Sequence, residues 1–442
     1  MDKSVNAVQR MFSRRSFLRC AAALPWMFGA AQARAYTHTR AHIVILGGGT
    51  AGLAISAQLS RLLSGARITL VEPADVHHYQ PGWPLILCGL SSVSETQTPN
   101  QRHIALGVRW LQTWAQAIDP LKNRVYTADQ RVLEYDFLIV ALGCETDFEA
   151  IEGMHPELLG HEGVFSIYGG ARSARKGYHL LQQAHEIPDA SILFTAPDTP
   201  IKCLGGPIKA ALISDFMLRR QRVREHMALH YFSGSACLLP QPQFARLAEH
   251  FLQERAIEVH PAFVLKGIDP GYRLAYFAAP DGTTKRLSYD LLHIVPPMHA
   301  PGVLTHSGLA WKNGPYAAGG WLKVDPHTLQ HPDYFNIFGI GDVVGTPYGK
   351  TVSTLRYHLS TVTENLLALL HGQEPRPLFN GYTSCPLYTE IGRAVRMAFD
   401  YSRESAPDPF ISPANMDTRI AWWQQVHLFR LIYLNLLKGR MA

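Results

Sequence analysis

The run His42-Ile43-Val44-Ile45-Leu46 leads without a break into Gly47-Gly48-Gly49-Thr50-Ala51-Gly52 and then into the apolar stretch from Leu53 to Leu63. A buried strand, a Gly-x-Gly-x-x-Gly turn and a helix in that order point to a parallel α/β sheet. A second strand-like run, Ile68 to Val71, ends at Glu72, 20 residues past Gly52. That is where an acidic side chain meets the ribose of a bound dinucleotide. Gly47, Gly49 and Gly52 let the backbone approach a pyrophosphate at a helix N-terminus. Three glycines alone would be a weak signal; strand, loop, helix, strand and acid in succession are a strong one.

Two later segments belong to the same unit. Tyr135 to Gly143 reads as a strand closing in a small-residue turn at Gly143. Asn336 to Asp342 reads as another, closing in Gly341-Asp342. An aspartate there is placed to bond a ribityl chain, which favours FAD over NAD at the first loop; a helix N-cap role for Asp342 is compatible with this.

The next Rossmann-like stretch departs from the dinucleotide pattern. Between the strand-like Ser191–Ala196 and the helix-like Ile208–Leu218, where a second glycine loop would receive a nicotinamide cofactor, stands Lys202-Cys203-Leu204-Gly205-Gly206-Pro207. Lys202, Lys209 and the start of a helix are all features that lower a thiol pKa. A second cysteine, Cys385, falls in Gly381-Tyr382-Thr383-Ser384-Cys385-Pro386-Leu387, read as a loop after the proline-rich Glu374–Pro377. Cys203 and Cys385 are therefore expected to be redox-active. Cys88 and Cys237, in apolar runs, are expected to be buried small hydrophobes. Cys144 reads either as a third redox cysteine or as a bystander. No Cys-x-x-Cys pair occurs, so neither a cysteine-based zinc site nor a thioredoxin-like motif is expected.

Several broader classes fall away. The net charge of +6 comes without any dense Lys/Arg run, so nucleic acid is not an expected partner. Residues 1–35 carry Arg14-Arg15 before Phe17-Leu18, an apolar run and Ala33-Arg34-Ala35. This reads as a twin-arginine export signal, which implies a folded, cofactor-loaded protein delivered to the periplasm. The remaining chain divides into residues 36–150 and 320–372 as a discontinuous FAD domain, 151–319 as a second Rossmann-like domain carrying Cys203, and 373–442 carrying Cys385 and the tail. The fold class is α/β: two Rossmann-like domains and a C-terminal amphipathic segment.

Together these residues resemble the sulfide:quinone oxidoreductases, specifically their mitochondrial branch. The likeness rests on His77-His78-Tyr79-Gln80-Pro81 with Trp83, Ile201-Lys202-Cys203 with Gly205 and Pro207, Pro296-Pro297-Met298, Thr328-Leu329-Gln330-His331, Phe338 to Asp342, Gly349-Lys350-Thr351, Gly381 to Leu387 and Phe399-Asp400-Tyr401. The resemblance implies that Cys203 and Cys385 form a sulfur-bridged couple beside FAD. Sulfide would attack at Cys385, leave a persulfide there and release Cys203 as a thiolate. Electrons would pass through FAD to a membrane quinone, and the sulfur to a small acceptor. Lys350 matches a position near the flavin pyrimidine edge. The chain departs from the family at Val352 to His358, where an alanine-rich helix start is usual, and at Val426, which stands where the mitochondrial branch has a lysine.

No mature segment has the ~18 uninterrupted apolar residues of a spanning helix. The tail, with Trp422-Trp423, Leu428-Phe429, Leu431 to Leu434 and Leu436-Leu437 beside Arg430, Lys438 and Arg440, suits a helix lying in a membrane interface. A core or dimer helix is the alternative. The tail is shorter than in the mitochondrial branch, which fits attachment that is weaker or assisted by a homo-oligomer. Two other functions compete: the flavoprotein subunit of a sulfide dehydrogenase that reduces a cytochrome, and a flavin-bearing sensor without turnover.

Overall fold

The computed structural model describes residues 36–402 and 416–440, so the export signal read in residues 1–35 lies outside the described residues. β1 (His42–Leu46), α1 (Thr50–Leu62), β2 (Arg67–Val71), β3 (Val108–Leu111) and β4 (Phe137–Val140) begin the first sheet. The chain then builds a second sheet from β5 (Val164–Phe165), β6 (Ser191–Ala196), β7 (Ala228–Ser233), β8 (Ile257–Pro261) and β9 (Leu291–His293). Helices α2 (Ala171–Gln183), α3 (Gly206–Gln221) and α4 (Pro242–Glu254) connect parts of it. The chain returns to the first sheet through β10 (Gln330–His331) and β11 (Tyr334–Gly339), followed by α5 (Val352–Leu370).

The first sheet has the order β10-β11-β4-β1-β2-β3, and the second β5-β9-β6-β7-β8. All pairings are parallel except β10 with β11. Strands covered on both faces read as unbroken apolar runs rather than alternating ones. Ile43, Val44, Ile45 and Leu46 accordingly have no solvent exposure. The pairing of β4 with β11 joins segments almost two hundred residues apart and sets the Gly143 and Asp342 turns at neighbouring strand ends.

The first loop needs its glycines for space. A Cβ on Gly52 would lie 1.7 Å from the Gly47 carbonyl oxygen, and one on Gly47, whose φ is +96°, would lie 2.4 Å from that of Ala141. Only the absence of side chains lets α1 start this close to β1 and β4.

Cys385 lies on a strand, which corrects the loop expected for it. β12 (Thr383–Glu390) pairs antiparallel with β13 (Arg393–Phe399), and Cys385 stands opposite Met397. Most of β12 is buried on both faces, against α3 and α5, and this suppresses the alternation by which a strand is recognised in sequence. The tail folds as α6 (Arg419–Trp423), one π turn over Gln424–Leu428, and α7 (Phe429–Leu437), which packs on α1. Among the described residues no helix is long and apolar enough to cross a membrane.

Candidate active site

One cleft of about 350 Å³ collects Gly47, Gly49, Glu72, Gly143, Cys203, Lys209, Asp342, Lys350 and Cys385. Of the three loop glycines expected to meet the pyrophosphate, Gly52 is absent from this lining, because it packs against Gly47 beneath the loop. The Glu72 carboxylate is fixed by the backbone N–H groups of Gly48, at 2.5 Å, and Ala74, at 2.7 Å. Open space lies where a Cβ on Gly49 or Gly143 would stand, so the loop presents bare backbone to the cleft. Asp342 is half-buried in a short 3₁₀ turn, and desolvation raises its pKa against the opposing pull of Lys350 and Lys202. This donor set, with an acid for ribose hydroxyls and bare backbone for a pyrophosphate, fits a bound dinucleotide.

The cysteine loop is held in an uncommon conformation. Cys203 has φ +55°, in the left-handed region where non-glycine residues are rare. Its N–H donates to the Lys350 carbonyl at 3.0 Å, and its carbonyl accepts from Gly206 N–H at 2.7 Å and from the Tyr168 hydroxyl at 3.1 Å. These bonds aim its sulfur across the cleft wall: the Sγ atoms of Cys203 and Cys385 are 3.3 Å apart, and Lys209 Nζ donates to Cys203 Sγ at 3.2 Å.

Electrostatics separates the two thiols. The hydrogen bond from Cys385 and the Lys209 ammonium outweigh burial and bring the Cys203 pKa down to about 5. The Cys385 thiol is pushed well up, by its bond to Cys203 and by burial. Opposite charges about 4 Å apart attract by about 4 kcal/mol at an effective dielectric near 20, enough to move a thiol by about three pKa units. Lys209 is itself buried, which disfavours its charge, yet the adjacent sulfurs raise its pKa overall. Reduced, the pair is therefore a Cys203 thiolate accepting from a Cys385 thiol.

Several expectations are corrected. The Lys202 ammonium sits 5.6 Å from the centre of the Trp83 ring, while Lys209 is the lysine that bonds the Cys203 sulfur. Cys237 is exposed, because its apolar run forms a turn rather than an element; Cys88 is buried as expected. Cys144 lines the cleft, but burial raises its pKa to about 11 and keeps it a thiol. His358 is buried under the Asp342 turn, where its Nδ1 accepts from Gly341 N–H at 3.2 Å.

Other roles were not readable from spacing. Lys350 Nζ donates to the carbonyls of Asp342, at 2.5 Å, and Val344, at 3.0 Å, and stacks on Trp321. Burial, offset by Asp342, lowers its pKa to about 8. Gln425 and Phe429 of the tail also line the cleft.

The model of the pyridine nucleotide-disulphide oxidoreductase family matches residues 41–179. A mitochondrial sulfide:quinone oxidoreductase of Mus musculus is 31% identical over 364 residues, covering 82% of this chain and 78% of that protein. Its counterpart from Dictyostelium discoideum is 32% identical over 363 residues, with the same coverage of each. The crystal structure of the sulfide:quinone oxidoreductase from Aquifex aeolicus has the same fold, with a TM-score of 0.73 at 21% identity over 91% of this chain and 92% of that one. Cleft, cysteine pair and these relatives agree: the chain belongs to the sulfide:quinone oxidoreductase family.

Proposed function

We propose that this protein oxidises sulfide at the Cys203–Cys385 pair, with FAD in the first dinucleotide site and a membrane quinone as electron acceptor. The carrying observation is that a lysine-stabilised thiolate and its partner thiol lie 3.3 Å apart in the cleft that the Gly47–Gly52 loop opens into. The relatives named above are sulfide:quinone oxidoreductases, which favours this reading over a cytochrome-coupled subunit or a sensor.

Bound FAD supplies a two-electron acceptor that passes electrons onward. Gly47 and Gly49 would meet its pyrophosphate with bare backbone, Glu72 would take the ribose hydroxyls, and Asp342 the ribityl chain. In the oxidised pair, hydrosulfide attacks Cys385; a bond forms between the incoming sulfur and Cys385 Sγ while the bond to the Cys203 side breaks. Cys385 is left as a persulfide and Cys203 leaves as a thiolate, with Lys209 stabilising the leaving charge. Two S–S bonds of about 2.05 Å around a bent central sulfur span a gap close to 3.3 Å, so a one-sulfur bridge is compatible with the geometry; across such a bridge the central sulfur stays on Cys203, which leaves as a persulfide anion instead of a thiolate. The persulfide sulfur then passes to a small acceptor.

The tail supports contact with a membrane, since Leu431 and Leu434 face solvent while Gln425 and Phe429 reach the cleft. Export by the twin-arginine route to the periplasm rests on the pattern in residues 1–35.

Anaerobic titration with sulfide tests this reading. The flavin bands should bleach, or a long-wavelength band appear, and a soluble quinone should restore the oxidised spectrum. Reduction without reoxidation by quinone would shift the acceptor to a cytochrome, and no response to sulfide would remove the proposed activity.

A further inference from the structure

Away from the cleft, β7 and the edge strand β8 run parallel, with His230 opposite Glu258 and Phe232 opposite His260. Residues two apart on a strand share a face, so His230, Glu258 and His260 project together. His230 Nδ1 is 3.2 Å from His260 Nε2 and 3.3 Å from a Glu258 carboxylate oxygen; His260 Nε2 is 3.5 Å from the other oxygen. We propose that this triangle binds a zinc-class divalent cation, with a water completing a tetrahedral site.

The spacing carries the argument. Metal bonds of about 2.0–2.2 Å at tetrahedral angles place neighbouring donors about 3.3–3.5 Å apart; the two imidazole nitrogens lie close to that distance from each other, and each lies close to it from one of the two Glu258 oxygens, so a turn of the exposed carboxylate would bring a single oxygen to both. The His260 ring is pre-set, being buried and stacked on Phe232 with centroids 4.2 Å apart and planes 15° apart. The Glu258 side chain keeps 64% of its exposure, which leaves a path for the ion and an open fourth position. Two imidazoles and one carboxylate suit zinc, cobalt or nickel rather than magnesium or calcium.

One neighbour opposes the ion. Lys285 Nζ lies 3.0 Å from His260 Nδ1, and as a donor there it places the ring proton on Nε2. In that same position the ammonium lies 4.5 Å from the centre of the Phe263 ring, so metal entry requires it to give up Nδ1. A filled site would clamp the sheet's edge strand to its neighbour. The cysteine spacing examined in the sequence could not reveal a site assembled from two strands.

The test is calorimetric titration of chelator-treated holoprotein with zinc chloride, in a Cys237→Ser background that removes the exposed thiol. One equivalent should bind, and His230→Ala and His260→Ala should abolish it. Glu258→Gln should weaken binding by about tenfold or more, and Lys285→Met should tighten it several-fold, since no ammonium then competes. Bound FAD reports that each variant is folded. Absence of zinc binding, or equal binding in the histidine variants, overturns the site. Should a histidine variant lose its flavin, unchanged affinity in both Glu258→Gln and Lys285→Met overturns it as well.

Discussion

The Tyr433 hydroxyl lies 2.8 Å from Thr50 Oγ1 and 2.6 Å from His77 Nε2, so the C-terminal helix is hydrogen-bonded into the first dinucleotide loop. Tyr433 is buried, and burial, then His103 and His78, lowers the His77 pKa to about 3. The network is therefore neutral and depends on hydrogen bonding alone. Tyr433→Phe leaves two polar groups unpaired, at about 1–3 kcal/mol. Thermal release of FAD, followed by flavin fluorescence, should fall by several degrees. Release at the wild-type temperature would show that the tail does not support the cofactor site.

The two cysteines test the proposed chemistry directly. Cys203→Ser and Cys385→Ser should each retain FAD, since neither residue builds the Gly47–Gly52 loop. Flavin bleaching by sulfide should slow by roughly 10³-fold or more, the scale on which nucleophile removal acts. Stopped-flow reduction at the wild-type rate in either variant would contradict the pair mechanism.

Lys209 should set the pH range in which Cys203 is reactive. With its pKa near 5, Cys203 is a thiolate at neutral pH and loses that form only as pH falls through about 5. Lys209→Met removes an attractive charge 3.2 Å from the sulfur, so the pKa rises and thiolate is lost at higher pH than in wild type. The inflection in alkylation rate by iodoacetamide in the reduced protein should move up by at least about one unit, and Lys209→Arg should restore part of the shift. An unmoved inflection would assign the depression to Cys385 alone.

How much of this was legible in the sequence follows from range. The first loop and Glu72 form one local unit with a fixed spacing, and Cys203 replaces a glycine loop at a known place in a Rossmann-like unit. These could be read residue by residue. The partnership of Cys203 with Cys385 came through resemblance, because a separation of 182 residues has no local signature. The Tyr433–Thr50 bond spans 383 residues and left no signal at all. Lys350 was placed near the site, but its work on the Asp342 and Val344 carbonyls depends on backbone groups that no side-chain pattern encodes. Cys237 departs from expectation for a related reason: an apolar surrounding in sequence does not determine where a loop side chain points.

Gly205 sets the distance between the sulfurs. Its φ of −79° suits any residue, so substitution tests space rather than strain. A Cβ there would stand 3.2 Å from both Cys385 Sγ and Met397 Cε. Both contacts are tight, and Gly205→Ala should press the β12 sulfur away from Cys203. Sulfide-dependent reduction should slow while FAD content stays at the wild-type level. An unchanged rate would show that the hairpin yields without separating the pair.

Membrane attachment has to be tested without cutting the tail away. Deleting it would remove Tyr433, Leu436 and Leu437, which are buried, and would damage the cofactor site and the anchor together. Leu431 and Leu434 are 59% and 36% exposed, and neither lines the cleft. Burying a leucine side chain is worth about 1.5–3 kcal/mol, so losing two from a bilayer interface weakens partitioning by about 100-fold or more. The double variant Leu431→Asp with Leu434→Asp should therefore leave anionic vesicles in cosedimentation while keeping its FAD and its bleaching by sulfide. If the variant still sediments with vesicles as the parent does, the tail is not the anchor, and its exposed leucines belong to a protein contact.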